Sequence, residues 1–472
     1  MLVVRHATAA VRLLASGLAV AAGVLAAPGT ASATETAGGA PAAQPQGGAT
    51  ATIGTLKTYG AAVIHGGSGD QEISAGLFEM SVDGGGTLQT YGVDLFTTTQ
   101  RDAKYHETPW SGTSLGVNKD AGRVRWILQN SYPQVNDLAT LARKAGAGAG
   151  LTEQDAAAGT QVALWRVSDG AAVDAVDPQA ERLADYLQKA ARNVPEPRAS
   201  LSLEGAAVSG RPGEPLGPVT VRTDAATVTV SPPLDAETTG VRVVGKDGEP
   251  VTTARDGAEL FFDVPADSAA GAAELTVQAS TTVPVGRAFV SESRSQTQVL
   301  AGSSESTVSA RADATWAATG AVPALSAARN CAANGLDLTA SNQGDDDFVF
   351  ELMGQRYTIP VGTARTVTVP LQEDQAYDFT LTTPQGTDSR FAGVLDCRTQ
   401  GAETGLTTQT LAEPSPATVG GGAPTDSGSG TNLAETGSSH ATPLIAGTAI
   451  GLVVIGGAVL LLVGRKEHTT EH

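Results

Sequence analysis

Short runs of alternating apolar and polar residues cover most of the chain, and glycine or proline separates one run from the next. Residues 77–82 and 88–96 form two such runs, with three consecutive glycines at positions 84–86 between them. A period of two with turn residues between the runs is typical of antiparallel strands joined by hairpins. The pattern therefore predicts a protein built largely of β-strands.

A helical pattern replaces the alternation between about residues 152 and 190. Thr152 with Asp155 three residues later is a capping-box-like start, from which a helix would run through Gln161. Asp177 before Pro178 gives a second start, with the aspartate as N-cap and the proline in the first helical position. Strands followed by helices predict an α+β domain over residues 56–196.

Two further segments predict all-β domains. Residues 197–309 carry β-branched runs at 219–222, 228–230, 241–244, 260–264, 276–277 and 297–300, which predict a β-sandwich. Residues 322–399 alternate at 348–350, 357–359, 366–369 and 377–379, which predicts an Ig-like domain. Residues 34–55 and 400–432 have few large apolar side chains, and we expect a linker and a disordered stalk there.

The first 33 residues predict a signal peptide. Arg5 and Arg12 precede an apolar run over residues 13–26, and Ala31, Ser32 and Ala33 form a small-residue cleavage pattern. A membrane anchor is the alternative, but the run is too short to span a bilayer. We therefore expect a secreted chain.

An uncharged stretch over residues 443–464 is long enough for a transmembrane helix. The basic pair Arg465 and Lys466 begins a polar tail, residues 465–472, which the distribution of positive charge places on the cytoplasmic side. A plain single-pass anchor would explain this span.

A pentapeptide just before the span explains more. It consists of Leu433, Ala434, Glu435, Thr436 and Gly437. Motif, span and basic tail together resemble a sortase sorting signal of the LAxTG type common in actinobacteria, where the more usual signal has proline in place of Ala434. The resemblance implies that sortase attacks the carbonyl of Thr436, releases Gly437 and passes the chain to peptidoglycan. Contact with the membrane would then end at cleavage, leaving a wall-anchored product.

Charge and histidine content limit the functions of the exported chain. A net charge of −19 argues against nucleic acid as a partner. Of six histidines only His65 and His106 lie in the exported part, which is too few for a zinc site without cysteine ligands. We expect no metal, no cofactor and no catalytic residues, because no recognised catalytic motif is present.

The chain has two cysteines, Cys331 and Cys397, both in the exported part. An even count outside the cell predicts one disulfide, although two free thiols are the alternative. It would close a long loop within the third domain.

Two short motifs lie in the α+β domain. Residues 160–163 are Thr-Gln-Val-Ala, followed by Leu-Trp, and residues 91–95 are Tyr-Gly-Val-Asp-Leu. They resemble the two halves of the Gram-positive thioester domain, or TQxA domain, in which a cysteine stands where this chain has Gly92. The resemblance implies an internal thioester between that cysteine and Gln161, opened by an amine on another surface. Because Gly92 has no thiol, we expect the fold to be kept and the thioester to be lost.

Three functions follow as hypotheses. The first is a wall-anchored surface protein that binds an unknown surface ligand non-covalently or has a structural role, with Trp110, Trp126 and Trp165 as support for a cleft. The second is a covalent thioester adhesin like the rest of the family. The third is a secreted wall-bound enzyme, which nothing beyond secretion favours.

Overall fold

The computed structural model describes residues 47–66, 69–148 and 150–398. They lie in the first of the chain's two units, Met1–Ala412, while the second unit, Glu413–His472, is outside the described residues. The predicted signal peptide (1–33), stalk (400–432), sorting motif (433–437), membrane helix (443–464) and tail (465–472) are outside them as well. Among the helices that are described, none is long and apolar enough to cross a bilayer.

Strands come first and helices later in the first part of the chain, as the sequence predicts. The capping box of Thr152 and Asp155 starts the longest helix, and Asp177 caps the last one. Two 3₁₀ turns, Trp110–Gly112 and Ser114–Gly116, precede the first helix. The regular elements are β1 (Thr50–Ile64), β2 (Gln71–Val82), β3 (Thr87–Gly92), β4 (Lys104–Thr108), α1 (Ala121–Gln129), α2 (Leu138–Ala145), α3 (Glu153–Ser168), β5 (Val173–Ala175) and α4 (Pro178–Ala190).

A two-sheet β-sandwich follows. One sheet has the order β10-β12-β8-β6 and the other β11-β9-β13-β16-β7. Its core is formed by alternating inward residues such as Val219, Val221, Leu275 and Val277, as the sequence predicts. The elements of this stretch are β6 (Leu201–Glu204), β7 (Ala207–Gly210), β8 (Pro215–Thr223), β9 (Val228–Ser231), α5 (Ala236–Thr239), β10 (Arg242–Val244), β11 (Thr253–Ala254), β12 (Glu259–Asp263), β13 (Gly271–Thr282), β14 (Ala288–Ser291), β15 (Gln298–Ser303) and β16 (Glu305–Trp316).

Two strands of this stretch leave the sandwich, contrary to the expectation that residues 197–309 belong to it. β14 and β15 pair with β4 and β3, in a seven-stranded sheet of order β2-β3-β15-β14-β4-β1-β5. Both strands are buried along almost their whole length, which suits the middle of a sheet covered on both faces. An apolar run does not reveal which sheet it joins, and this is why the sequence misplaced them.

The seven-stranded sheet lies between two cores. One face packs against α1–α4 in a core that includes Leu77, Val162 and Leu164. The opposite face shares a core with the sandwich through residues such as Met80 and Phe289. The α+β domain is therefore completed by strands that come from the middle of the sandwich sequence.

The start of the chain also differs from the expectation of a linker over residues 34–55. β1 already begins at Thr50, and Gly48 pairs with Ser309. Ala51 and Ile53 are fully buried in the core shared with the sandwich. Small residues such as alanine and glycine suggested a linker, but alternation at 49, 51 and 53 fits a strand whose small side chains allow close packing.

A buried ion pair lies within the seven-stranded sheet, between β4 and the residue before β14, and its carboxylate also bonds to the residue before β6. Arg287 donates from Nε to Glu107 Oε1 at 2.8 Å, and the side chains are 4% and 0% exposed. Glu107 also accepts from the backbone nitrogens of Ala49 and Ser200, at 3.1 and 2.9 Å. The carboxylate is thus shared by three parts of the chain, which satisfies a charge that would be costly to bury alone.

The third domain consists of β-strands and one 3₁₀ turn, Cys331–Ala333. It has a three-stranded sheet, β17-β18-β21, and two hairpins, β19-β20 and β22-β23. A disulfide joins Cys331 to Cys397, confirming the predicted pair, with an S–S distance of 2.02 Å. The strands are β17 (Pro323–Asn330), β18 (Gly335–Asn342), β19 (Phe348–Leu352), β20 (Gln355–Ile359), β21 (Thr363–Pro370), β22 (Ala376–Thr382) and β23 (Asp388–Val394).

Candidate functional site

Gly92 and Gln161 lie in direct contact. Gly92 is the last residue of β3, and Gln161 points at it from α3. The Gly92 nitrogen donates to Gln161 Oε1 at 3.1 Å, and Gln161 Nε2 donates to the Gly92 carbonyl oxygen at 2.8 Å. The Gln161 side chain is buried, with 1% exposure. The amide therefore pairs with the backbone at the position where the resemblance to thioester domains predicts the family's cysteine.

The local sequence explains why α3 presents Gln161 here. The capped helix is rich in alanine and has a glycine at position 159, so it packs closely on the sheet and on α4. A Cβ at Gly159 would lie 2.4 Å from the Ala180 carbonyl oxygen. Tyr91, next to Gly92, is fully buried and donates to the Tyr132 carbonyl oxygen at 2.9 Å, and its burial raises the pKa of the phenol.

The strand run predicted for residues 88–96 ends early, at Gly92, because the chain turns at Asp94, which has a φ of 74°. The Asp94 nitrogen donates to Asp169 Oδ1 at 3.1 Å, just beyond the end of α3. Burial raises the pKa of Asp169 to about 7, although hydrogen bonds from Ser168 and from the backbone oppose the shift. Helix α3 thus contacts the β3 end at two points, Gln161 and Asp169.

A second glutamine lies on another side of Gly92. Gln296 precedes β15, and its side chain accepts from Thr99 Oγ1 at 3.0 Å and donates to the Asp94 carbonyl oxygen at 2.8 Å. A Cβ added to Gly92 would lie 2.0 Å from Gln296 Oε1. Sequence reasoning missed this residue because it assigned the surrounding strands to the sandwich.

The third domain reaches this region through Asp396. Thr297, next to Gln296, donates from Oγ1 to Asp396 Oδ2 at 3.4 Å. Burial raises the pKa of Asp396 to about 8, and the charges of Asp94, Glu373 and Asp374 add to the shift.

Glu373, Asp374 and Asp396 place carboxylate oxygens within 4.8 Å of one another. Glu373 Oε1 already accepts from the nitrogens of Cys397 and Arg398, at 2.7 and 2.8 Å, so hydrogen bonding within the domain accounts for its position. An acidic group of this kind does not by itself indicate a metal site.

The remaining residues singled out from the sequence lie elsewhere. Trp110, Trp126 and Trp165 are at most 9% exposed and belong to the core, as most aromatic residues of such a domain do, so they do not line an open cleft. His65 bridges Asp70 and Asp174, and His106 contacts Thr50 and Glu292, so the two histidines have separate partners. The sorting residues are outside the described part of the chain.

The family model described as Thioester domain matches residues 89–193, a range that contains both Gly92 and Gln161. A second model, Bacterial phospholipase C, C-terminal domain, matches residues 321–394, which form most of the third domain. No curated protein matches the sequence. The chain is thus similar to known families in two separate segments.

Three solved structures resemble parts of the chain. The Bacillus anthracis TIE protein is 18% identical with a TM-score of 0.26, and the match covers 67% of this chain and 63% of that one, so less than two thirds of that chain is spanned. The thioester domain of the Enterococcus faecium TIE86 protein is 14% identical, with a TM-score of 0.26 and coverages of 59% and 99%. The E. coli chaperone DraB is 14% identical, with a TM-score of 0.15 and coverages of 42% and 97%.

Proposed function

We propose that this chain, whose residues 89–193 match the thioester domain family, is a wall-anchored surface protein that engages its ligand without a covalent bond. The observation that carries the proposal is the pairing of the Gln161 amide with both backbone groups of Gly92. An amide used in this way has no thiol to attack it, and its own hydrogen bonds give it a structural role.

The chemistry of an internal thioester needs a sulfur atom beside Gln161. The sulfur would attack the side-chain carbonyl carbon, and the amide nitrogen would leave as ammonia. The chain has only two cysteines, and both are joined in the disulfide of the third domain. No thiol is left for Gln161, so the domain has nothing with which to form an electrophile for host or neighbouring amines.

Anchoring rests on the sequence alone, through the signal peptide, the Leu433–Gly437 motif, the apolar span and the basic tail. These features support export, cleavage by sortase after Thr436 and attachment to peptidoglycan. The order of parts would hold the described domains outside the wall on the stalk.

Treatment of the folded chain with methylamine tests the non-covalent part of the proposal. We expect no amine adduct by intact mass, whereas a covalent adhesin of the family type would gain one. A thioester-domain protein that has both its cysteine and glutamine serves as the positive control. A single adduct on this chain, mapped to Gln161, would refute the proposal.

Cell fractionation tests anchoring. The intact chain is expected in the wall fraction and is released only when the wall is digested, whereas a Thr436→Ala variant is expected in the membrane fraction. A Thr431→Ala change, which lies in the predicted stalk and outside the sorting motif, is a matched control that should leave anchoring unchanged. Equal wall attachment of the Thr436 variant would contradict sortase attachment at this position.

A further inference from the structure

Gln296 occupies the space that a side chain at position 92 would need. An ideal Cβ built on Gly92 lies 2.0 Å from Oε1, 2.5 Å from Cδ and 2.9 Å from Nε2 of Gln296. Distances below 3 Å are overlaps that something must relieve. Position 92 therefore lacks a thiol, and the Gln296 side chain lies where the side chain of residue 92 would be.

The amide of Gln296 is the end of a flexible side chain, so it could in principle move aside. It is, however, only 6% exposed and is held at both ends, by Thr99 Oγ1 at 3.0 Å and by the Asp94 carbonyl oxygen at 2.8 Å. Moving the amide would break these two buried hydrogen bonds, which is costly. The hydrogen bonds therefore fix Gln296 in the blocking position.

The backbone at Gly92 has neighbours on two further sides, Gln298 of β15 and Gln161 of α3. β3 lies between β2 and β15 in the sheet, with Gly92 opposite Gln298. Gln298 is fully buried and accepts from Thr90 Oγ1 at 3.0 Å. Gln161 closes the other side through its two bonds to Gly92. The Gly92 peptide thus lies between the side chains of Gln161 and Gln296.

We propose that Gln296 is a second determinant of the lost thioester, and that it keeps Gln161 in its amide form together with Gly92. The proposal rests on the non-covalent function proposed above. Restoring a cysteine at position 92 alone would create an overlap with Gln296 and no thioester. Removing Gln296 as well would let the sulfur reach the Gln161 Cδ, where the C–S bond forms, the C–N bond breaks, and ammonia leaves carrying the thiol proton.

A stability cycle tests the overlap without any new chemistry. It uses Gly92→Ala, Gln296→Ala and the double variant in the chain from Thr34 to Thr436, which contains every described residue. We expect Gly92→Ala to lower the melting temperature by roughly 5 °C in the natural background and by much less with Gln296→Ala. Equal losses in the two backgrounds, or failure of the double variant to fold, would overturn the proposal.

Gly112→Ala provides the matched control for this cycle. Gly112 is buried, but its ideal Cβ would meet Thr108 Cγ2 at 3.2 Å, and Gln296 is not among its nearest neighbours. Gly112→Ala should lower the melting temperature by the same amount with Gln296 and with Gln296→Ala. A cost that also falls on removal of Gln296 would mean that the loss at position 92 reports general loosening, and the proposal would fail.

Intact mass tests the chemistry. The Gly92→Cys variant is expected to keep one free thiol and to show no loss of ammonia. The double variant Gly92→Cys, Gln296→Ala is expected to lose one ammonia and then to gain one methylamine. Gly112→Cys with Gln296→Ala should keep its thiol. Ammonia loss from Gly92→Cys alone, or from neither variant, would overturn the role of Gln296. Ammonia loss from the natural chain would instead refute the proposed function.

Discussion

The Gln161–Gly92 contact predicts a measurable cost for Gln161→Met. Methionine matches glutamine in length but cannot hydrogen bond to the backbone, so the Gly92 N–H and carbonyl both lose their partner. Each orphaned buried group costs about 1–3 kcal/mol, and the apolar side chain offsets part of the sum. We therefore expect the free energy of unfolding to fall by about 2–4 kcal/mol.

Urea unfolding followed by tryptophan fluorescence measures this loss, because three of the four tryptophans lie in the core beside α3. Gln154→Met is the matched control, since Gln154 is an exposed glutamine on the same helix. Hydrogen exchange adds a local readout: the Gly92 amide should exchange faster in the Gln161 variant only. If both variants unfold at the same urea concentration, the reasoning about the amide pair is refuted.

Two further predictions concern stability. Asp169 and Asp396 have ordinary pKa values of 3.8, raised to about 7 and about 8 in the folded chain, so the folded state holds protons that the unfolded state has released. The free energy of unfolding should therefore fall as pH rises from about 4 to about 8. The double variant Asp169→Asn, Asp396→Asn should flatten this slope in denaturation curves. A free energy that rises with pH over this range would contradict the raised pKa values. Replacing Cys331 and Cys397 by serine should lower the stability of the third domain by about 4 kcal/mol, seen as an earlier calorimetric transition, whereas an unchanged transition would rule this contribution out.

Sequence patterns predicted those features that depend on neighbours along the chain. The Thr152–Asp155 capping box, the Asp177 cap and the glycine turn at residues 84–86 each act over a few residues, and the structure confirms the helices and the hairpin that they predict. The pairing of Cys331 with Cys397 was accessible because the chain has no other cysteine.

Features that depend on distant pairing were not predictable in this way. β14 and β15 are short and largely apolar, as sandwich strands are, and only their pairing with β4 and β3 shows which sheet they join. Gln296 depends on that placement, because it meets Asp94 across 202 positions of sequence. The pair Gly92 and Gln161 was thus visible in the sequence, while Gln296, which a Cβ added at Gly92 would overlap, was not.

The intact mass of the unreduced natural chain from Thr34 to Thr436 shows whether Gln161 is an amide or part of a cross-link. We expect a mass lower than the sequence mass by two hydrogens, from the disulfide, with Gln161 still an amide. A further loss of one ammonia would show that an amide-expelling bond forms despite Gly92, and would contradict the account.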